Sequence, residues 1–256
     1  MLHQKNLEES LLEAFNKSSA EQSQEGAARF FVEALSKYYR QGKWGDEWGL
    51  TFDEVDVFEL SGESFDEQDL PATLTIYPGQ PQEEEHAVVD VISDTELYVP
   101  SLENYGWTVG EHAAPFRIEF SVTPPLIVEG IDFFVKKSGG YLVRKADAAF
   151  LEVYIYALSK FGVFTNEETW ASAVSQLTYK WFDYLVKQGA YGHFLSNVVF
   201  PTTSLKKELA KQVERNRKQK DATVESSAKN LAKAIHDHVT QATVNSASPP
   251  SPLSLV

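Results

Sequence analysis

Glu83, Glu84, Glu85 and His86 are four consecutive side chains able to ligate a hard cation. On a strand, residues two apart share a face, so Glu83 with Glu85, or Glu84 with His86, would converge. The competing reading is a solvated acidic loop between strands, and that reading is favoured. The acidic run FDEVDVFELSGESFDEQD (residues 52–69) lacks the ligand order of an EF-hand loop. His236 and His238 have the look of a metal pair. On a helix, however, a two-residue gap turns them roughly 200° apart, so they cannot meet on one ion. The 37 acidic residues offer many carboxylate pairs, and spacing singles out none for glycosidase-type work. There is no Gly-rich phosphate loop, no nucleophile elbow and no HExxH. The absence of cysteine removes disulfides, thiolate zinc sites and cysteine nucleophiles. The expectation is a non-enzyme with no catalytic residue, no cofactor and no metal site.

Charge is distributed unevenly. Residues 51–130 carry 18 acidic groups against one base, Arg117, whereas the whole chain has a net charge of −14. An acidic module repels nucleic acid and anionic membrane. No segment approaches the roughly 20 apolar residues that span a bilayer. No signal-peptide pattern opens the sequence, so synthesis in and release into cytoplasm is the expectation. Large rings are numerous: Trp44, Trp48, Tyr105, Trp107, Trp170, Tyr179, Trp181, Phe182 and Tyr184. Most belong in a core, and some are candidates for anchors at subunit contacts.

The elements that must position these groups alternate in type. Leu7, Leu11, Leu12 and Phe15 give one helical face, and Asn6 with Glu9 resembles a capping box. After the polar SSAEQSQE, the residues Ala28, Phe31, Leu35 and Tyr38 give a second helix that Gly42 is placed to end. In PATLTIYPG and FRIEFSV, Ala72, Leu74 and Ile76, and then Phe116, Ile118 and Phe120, alternate with polar residues, as half-buried antiparallel strands do. RKADAAFLEVYIYALSKFG is apolar nearly all round, which predicts a helix buried on several sides. Thr165 and Glu168 read as a capping box for the next helix, which carries Trp170, Val174, Leu177, Trp181 and Leu185. The fold expected is α+β, with an antiparallel β barrel or sandwich module inserted between helical segments, then a C-terminal helical arm and an extended tail. The divisions are residues 1–49 for the N-terminal helices and 50–140 for the acidic β module. Residues 141–200 form a helical pair packing on the rest of the core. A helical arm follows at 201–245 and a Ser/Pro tail at 246–256. Residues 25–41 and 225–241 align without gaps, with Ala28/Ala228, Phe31/Leu231, Ala34/Ala234 and Leu35/Ile235 in register.

SAKNLAKAIHDHVTQATVN (residues 227–245) has the form A-x-x-L-A-x-A-I followed by a Thr/Val-rich extended piece. It resembles a segment of tailed-bacteriophage virion structural proteins. The plan of the chain is similar to their neck, connector and tail-completion proteins. The likeness covers about 20 of 256 residues and transfers no functional residue. It implies a homo-oligomeric ring that joins other virion proteins, lets DNA pass without binding it specifically, has no membrane partner, and resides in the virion after synthesis in the host cytoplasm. The contact residues expected are Leu231, Ala234 and Ile235 on the arm, and Pro249, Pro250 and Leu253 on the tail. The alternatives are a carboxylate- or metal-dependent hydrolase and a monomeric acidic adaptor that mimics nucleic acid. Three further expectations follow: the arm projects onto a neighbour, the tail is ordered only by a partner, and the acids Asp53, Glu54, Asp56, Glu59, Glu63, Asp66, Glu67, Asp69 and Glu83–Glu85 are largely solvated, away from DNA.

Overall fold

A computed structural model describes residues 2–21, 23–50, 54–60, 65, 70–161, 167–192, 194–201, 205–218, 221–247 and 252–256. They fall into two compact units. One is the continuous stretch Glu54–Tyr141. The other joins Met1–Asp53 to Leu142–Val256. The α+β class read from the sequence holds, with the antiparallel module inserted between helical segments.

The inserted unit is one curled, seven-stranded antiparallel sheet, a half-barrel. Its strands are β1 (Glu54–Glu59), β2 (Ala72–Ile76), β3 (Glu84–Val88), β4 (Asp90–Ser93), β5 (Glu96–Tyr98), β6 (Gly110–Phe120) and β7 (Leu126–Gly139). They run in the order β3-β2-β6-β7-β1-β5-β4. Period-2 patterning does what the sequence implies. Ala72, Leu74 and Ile76 of β2 and Phe116, Ile118 and Phe120 of β6 are buried in one cluster with Phe58, Phe133 and Val135. The ring of Phe58 stacks on Phe133 at 4.6 Å and meets Phe116 edge-on at 5.2 Å. The open edges are defended by short length and charge: β3 carries Glu84 and Glu85, and β4 has four residues and a bulge in its pairing.

Among the described residues the second unit has six helices: α1 (Gln4–Ala20), α2 (Gln24–Tyr39), α3 (Tyr141–Phe161, its first residue at the boundary), α4 (Glu167–Lys187), α5 (Leu205–Lys218) and α6 (Val224–Val239). A small antiparallel sheet of β8 (Leu195–Val199), β9 (Thr243–Ser246) and β10 (Leu253–Ser254) completes it. Helix α1 starts at Gln4, so Asn6 lies inside the first turn. Its amide donates to Gln41 Oε1 at 2.7 Å instead of capping. Helix α2 is capped by Ser23, whose hydroxyl accepts from Gly26 N–H. Of the expected box before α4, Thr165 and the Glu168 side chain lie outside the described residues.

The 200-residue echo persists in three dimensions. Helices α2 and α6 each have 16 residues, and Ser23 and Thr223 cap them through the same kind of bond. Both pack against α1. The buried positions match in register: Ala28/Ala228, Phe31/Leu231, Val32/Ala232, Ala34/Ala234, Leu35/Ile235 and Tyr39/Val239.

The C-terminal segments are helical and extended as expected, but they do not project. Helix α6 has an apolar stripe that α1 and α5 cover, while α5 is held by Leu205 and Leu209 against α4 and α6. The tail strand β10 pairs with β9 on one side. On the other, backbone bonds link Lys43 N to Val256 O, Gly45 N to Ser254 O, and Val256 N to Lys43 O. Gly42 and Gly45 leave room for it. A Cβ there would lie 3.1 Å from Leu255 and 3.2 Å from Leu253, and Gly45 also has φ +64°. The tail therefore has partners within its own chain, which corrects the expectation that only another molecule could order it.

Candidate interaction surfaces

Strand β7 is 14 residues long; its first part pairs with β6 and its last part with β1, and the two pairings overlap at Phe134 and Val135. Its side chains are another matter. Phe133 and Val135 enter the core and Val128 packs on it. Ile127 and Ile131, four residues apart and so of one parity, are exposed, Ile131 at 68%, and Phe134 is exposed further along the strand. Carboxylates flank the row: Glu129 and Asp132 on β7, Glu111 and Glu119 on β6. On the core-facing side of the same strand, the Phe116 ring fills the space of a missing side chain at Gly130. A Cβ on Gly130 would come within 2.6 Å of that ring. Beside it opens a depression of 400 Å³ bordered by Glu59, Glu111, Glu129, Asp132 and Phe134.

The helical unit has an apolar groove between α3 and α4. Ala146, Ala149, Phe150 and Val153 line one wall, and Leu177, Trp181 and Tyr184 the other, around 530 Å³. Lys145, Lys180 and Lys187 stand at its rim, with Asp183 paired to Lys187 at 2.7 Å. Val153 is open to solvent, and so is Tyr156 further along α3. The all-round apolar character of α3 thus marks an uncovered face as well as a buried one, a correction to the reading of burial on several sides.

The chain matches no protein-family model, no curated protein and no solved structure.

The contact residues expected from the sequence sit elsewhere. Leu231, Ala234 and Ile235 are buried within the helical unit at 6%, 8% and 0% exposure, and Leu253 at 7%. A side chain that its own chain covers has no surface left for a neighbour, so these four are corrected to core residues. Pro249 and Pro250 lie outside the described residues.

The Glu83–His86 run is not a solvated loop, because Glu84–Val88 form β3. Glu83 and Glu85 are exposed, but His86 is buried. His86 Nδ1 shares a hydrogen bond of 2.7 Å with Ser101 Oγ, and its Nε2 lies 3.6 Å from Glu84 Oε2. Glu84 in turn accepts from Trp107 Nε1 at 2.8 Å. Burial lowers the His86 pKa, outweighing the opposing pull of Glu84. A serine, a histidine and a carboxylate lie in line here, the residue types a hydrolase uses. The amides of residues 102–107 are committed to Val99, Asp56, Ser101, Leu102 and Glu103, which leaves no pair of donors there for an oxyanion. Among the described residues no group of three or more His, Asp or Glu is placed to hold a metal. His236 and His238 do diverge: the first bonds the Tyr38 hydroxyl at 2.6 Å, and the second stacks on Phe200.

The acidic module is less uniformly solvated than expected. Asp56 is buried, where Lys137 and the Glu103 amide bond it. Glu59 and Glu96 share Lys136, and Asp56 and Glu103 share Lys137. These two lysines lie just beyond residue 130 and belong to the same unit. Glu54, Glu83 and Glu85 are exposed, as expected, while Asp53, Glu63, Asp66, Glu67 and Asp69 lie outside the described residues. Of the large rings, Trp44, Trp170, Trp181 and Phe182 are core, whereas Tyr105 and Tyr179 are exposed.

Sequence reasoning missed the β7 strip. The signal was present in LIVEGIDFFV: apolar residues occupy both parities, whereas a strand with one wet face alternates.

Proposed function

We propose that the protein is a structural assembly subunit whose copies join one another, in the manner of a neck, connector or tail-completion ring of a phage particle. The observation that carries this reading is the strip Ile127, Ile131 and Phe134, exposed on a module otherwise crowded with carboxylates. Apolar rows of this kind mark surfaces that another molecule covers. The resemblance of residues 227–245 to phage virion proteins supplies the particle context. Exposed acids such as Glu54, Glu83 and Glu85 suit a passage wall, since phosphates are repelled from it and gain nothing by counterion release.

Native mass spectrometry of the full chain tests the reading. A closed oligomer is the expected species at micromolar concentration. A monomer at every concentration up to about 100 μM, well above the range of ordinary specific contacts, would sink it.

A further inference from the structure

We infer that the surface receiving the β7 strip is the α3–α4 groove of a second copy, so that the subunits join head to tail. This rests on the assembly reading above.

Three features of the two surfaces agree. The first is shape. The strip is a ridge and the groove is a concavity of 530 Å³. Ile127 and Ile131 stand four residues apart on one face, roughly 13 Å along a strand. The α4 wall from Leu177 to Gln188 runs roughly 16 Å along a helix, which is long enough to take both. The second is polarity. Each surface has an apolar centre and a charged rim, the layout of a protein interface. The third is charge. The ridge is flanked by Glu111, Glu119, Glu129 and Asp132, with Arg117 paired to Glu119 and Glu129, whereas the groove is rimmed by Lys145, Lys180 and Lys187, with Asp183 paired to Lys187, so the first rim stays net negative and the second net positive. The opposition extends to the whole units. Glu54–Tyr141 holds 18 acidic groups against Arg117, Lys136 and Lys137, and the rest of the chain is close to neutral. Two ridges would set net-negative flanks against each other, which opposes their pairing. A ridge can pair with the groove.

A contact between two different patches is heterologous. Each copy then has one free ridge and one free groove, and a ring closes if the rotation permits. The carboxylate and lysine rims fix register and speed association, so added salt slows assembly.

The test uses two variants of the full chain. Ile131→Asp spoils the ridge at an exposed position and leaves the groove intact. Lys180→Glu with Lys187→Glu reverses the groove rim and leaves the ridge intact. Each alone should be monomeric, with an apparent Kd raised on the order of 100-fold by unfavourable charge or lost apolar contact. Mixed, they should form a 1:1 heterodimer and nothing larger, because one good ridge and one good groove remain between them. Recovery of that heterodimer also shows that both variants are folded. Three results overturn the proposal. If wild type assembles and the groove variant assembles equally well, the ridge docks elsewhere and only the assembly reading survives. If the ridge variant assembles normally, the groove takes another segment. If both variants are monomeric with wild-type far-UV spectra and do not complement, the contact is not ridge to groove.

Discussion

At the scale of single residues, burial sets the behaviour of two histidines. His86 and His236 both have pKa values held below the ordinary imidazole value, and desolvation is the larger cause in each. In both cases the unfolded chain binds a proton more readily than the folded one. Their contribution to stability is therefore intact above the unfolded value of about 6.5 and is lost as pH falls below it. Denaturant midpoints should drop between pH 7 and pH 5, and His236→Gln, which keeps a partner for Tyr38, should flatten that slope. An unchanged slope would remove His236 from the account. Gly130 gives a steric counterpart. Its replacement by alanine drives a Cβ into the Phe116 ring and should cost about 1–3 kcal/mol in a urea titration of the β unit. Nothing in the sequence marks Gly130 for this role, because the demand arises from a ring on the adjacent strand.

At the scale of elements, most of the helices and strands were legible, and the reasons are local. Ala72, Leu74 and Ile76 alternate because one face of β2 is wet, and Trp170, Val174, Leu177 and Trp181 recur because one face of α4 is dry. The fate of the C-terminal segment was not legible. The low apolar content of KKELAKQVERNRKQK suggested a projecting arm, yet Leu205 and Leu209 suffice to seat α5 on α4 and α6. The tail sequence shows Ser and Pro, while the fit depends on Gly42 and Gly45, some 200 residues away. Sequence spacing does not report such long-range complementarity. Removing residues 203–256 should accordingly unfold the helical unit rather than release an intact core. Leu255→Ala alone, at 1% exposure, should cost about 2–5 kcal/mol, read from tryptophan fluorescence during denaturation. A truncated chain with native helical content would refute this packing.

At the scale of the whole molecule, charge separates the two units more cleanly than any composition shift. The chain's net −14 is carried by the inserted sheet, whose three bases include the bridging Lys136 and Lys137. Carboxylates crowded on one fold repel each other, and salt screens that repulsion over about 8–10 Å near physiological strength. Raising NaCl from about 0.05 to 0.5 M should stabilise the β unit and leave the near-neutral helical unit little changed. Calorimetry can follow both, and destabilisation of the β unit by salt would mean that the lysine bridges outweigh the repulsion.

The discontinuity of the helical unit has a consequence in time. Residues 54–141 leave the ribosome as one continuous stretch and have every strand of their sheet at once. Helices α1 and α2 emerge before them but need α6 and β10, which follow about 200 residues later. At a synthesis rate of about 5–20 residues per second, that wait is roughly 10–40 s. During it the paired helices present Leu7, Phe31 and Leu35 with no distal partner, while the acidic sheet is already complete. The order of birth is thus the reverse of the order of folding. The nascent chain's exposure to holdase chaperones should end when residues 224–256 arrive.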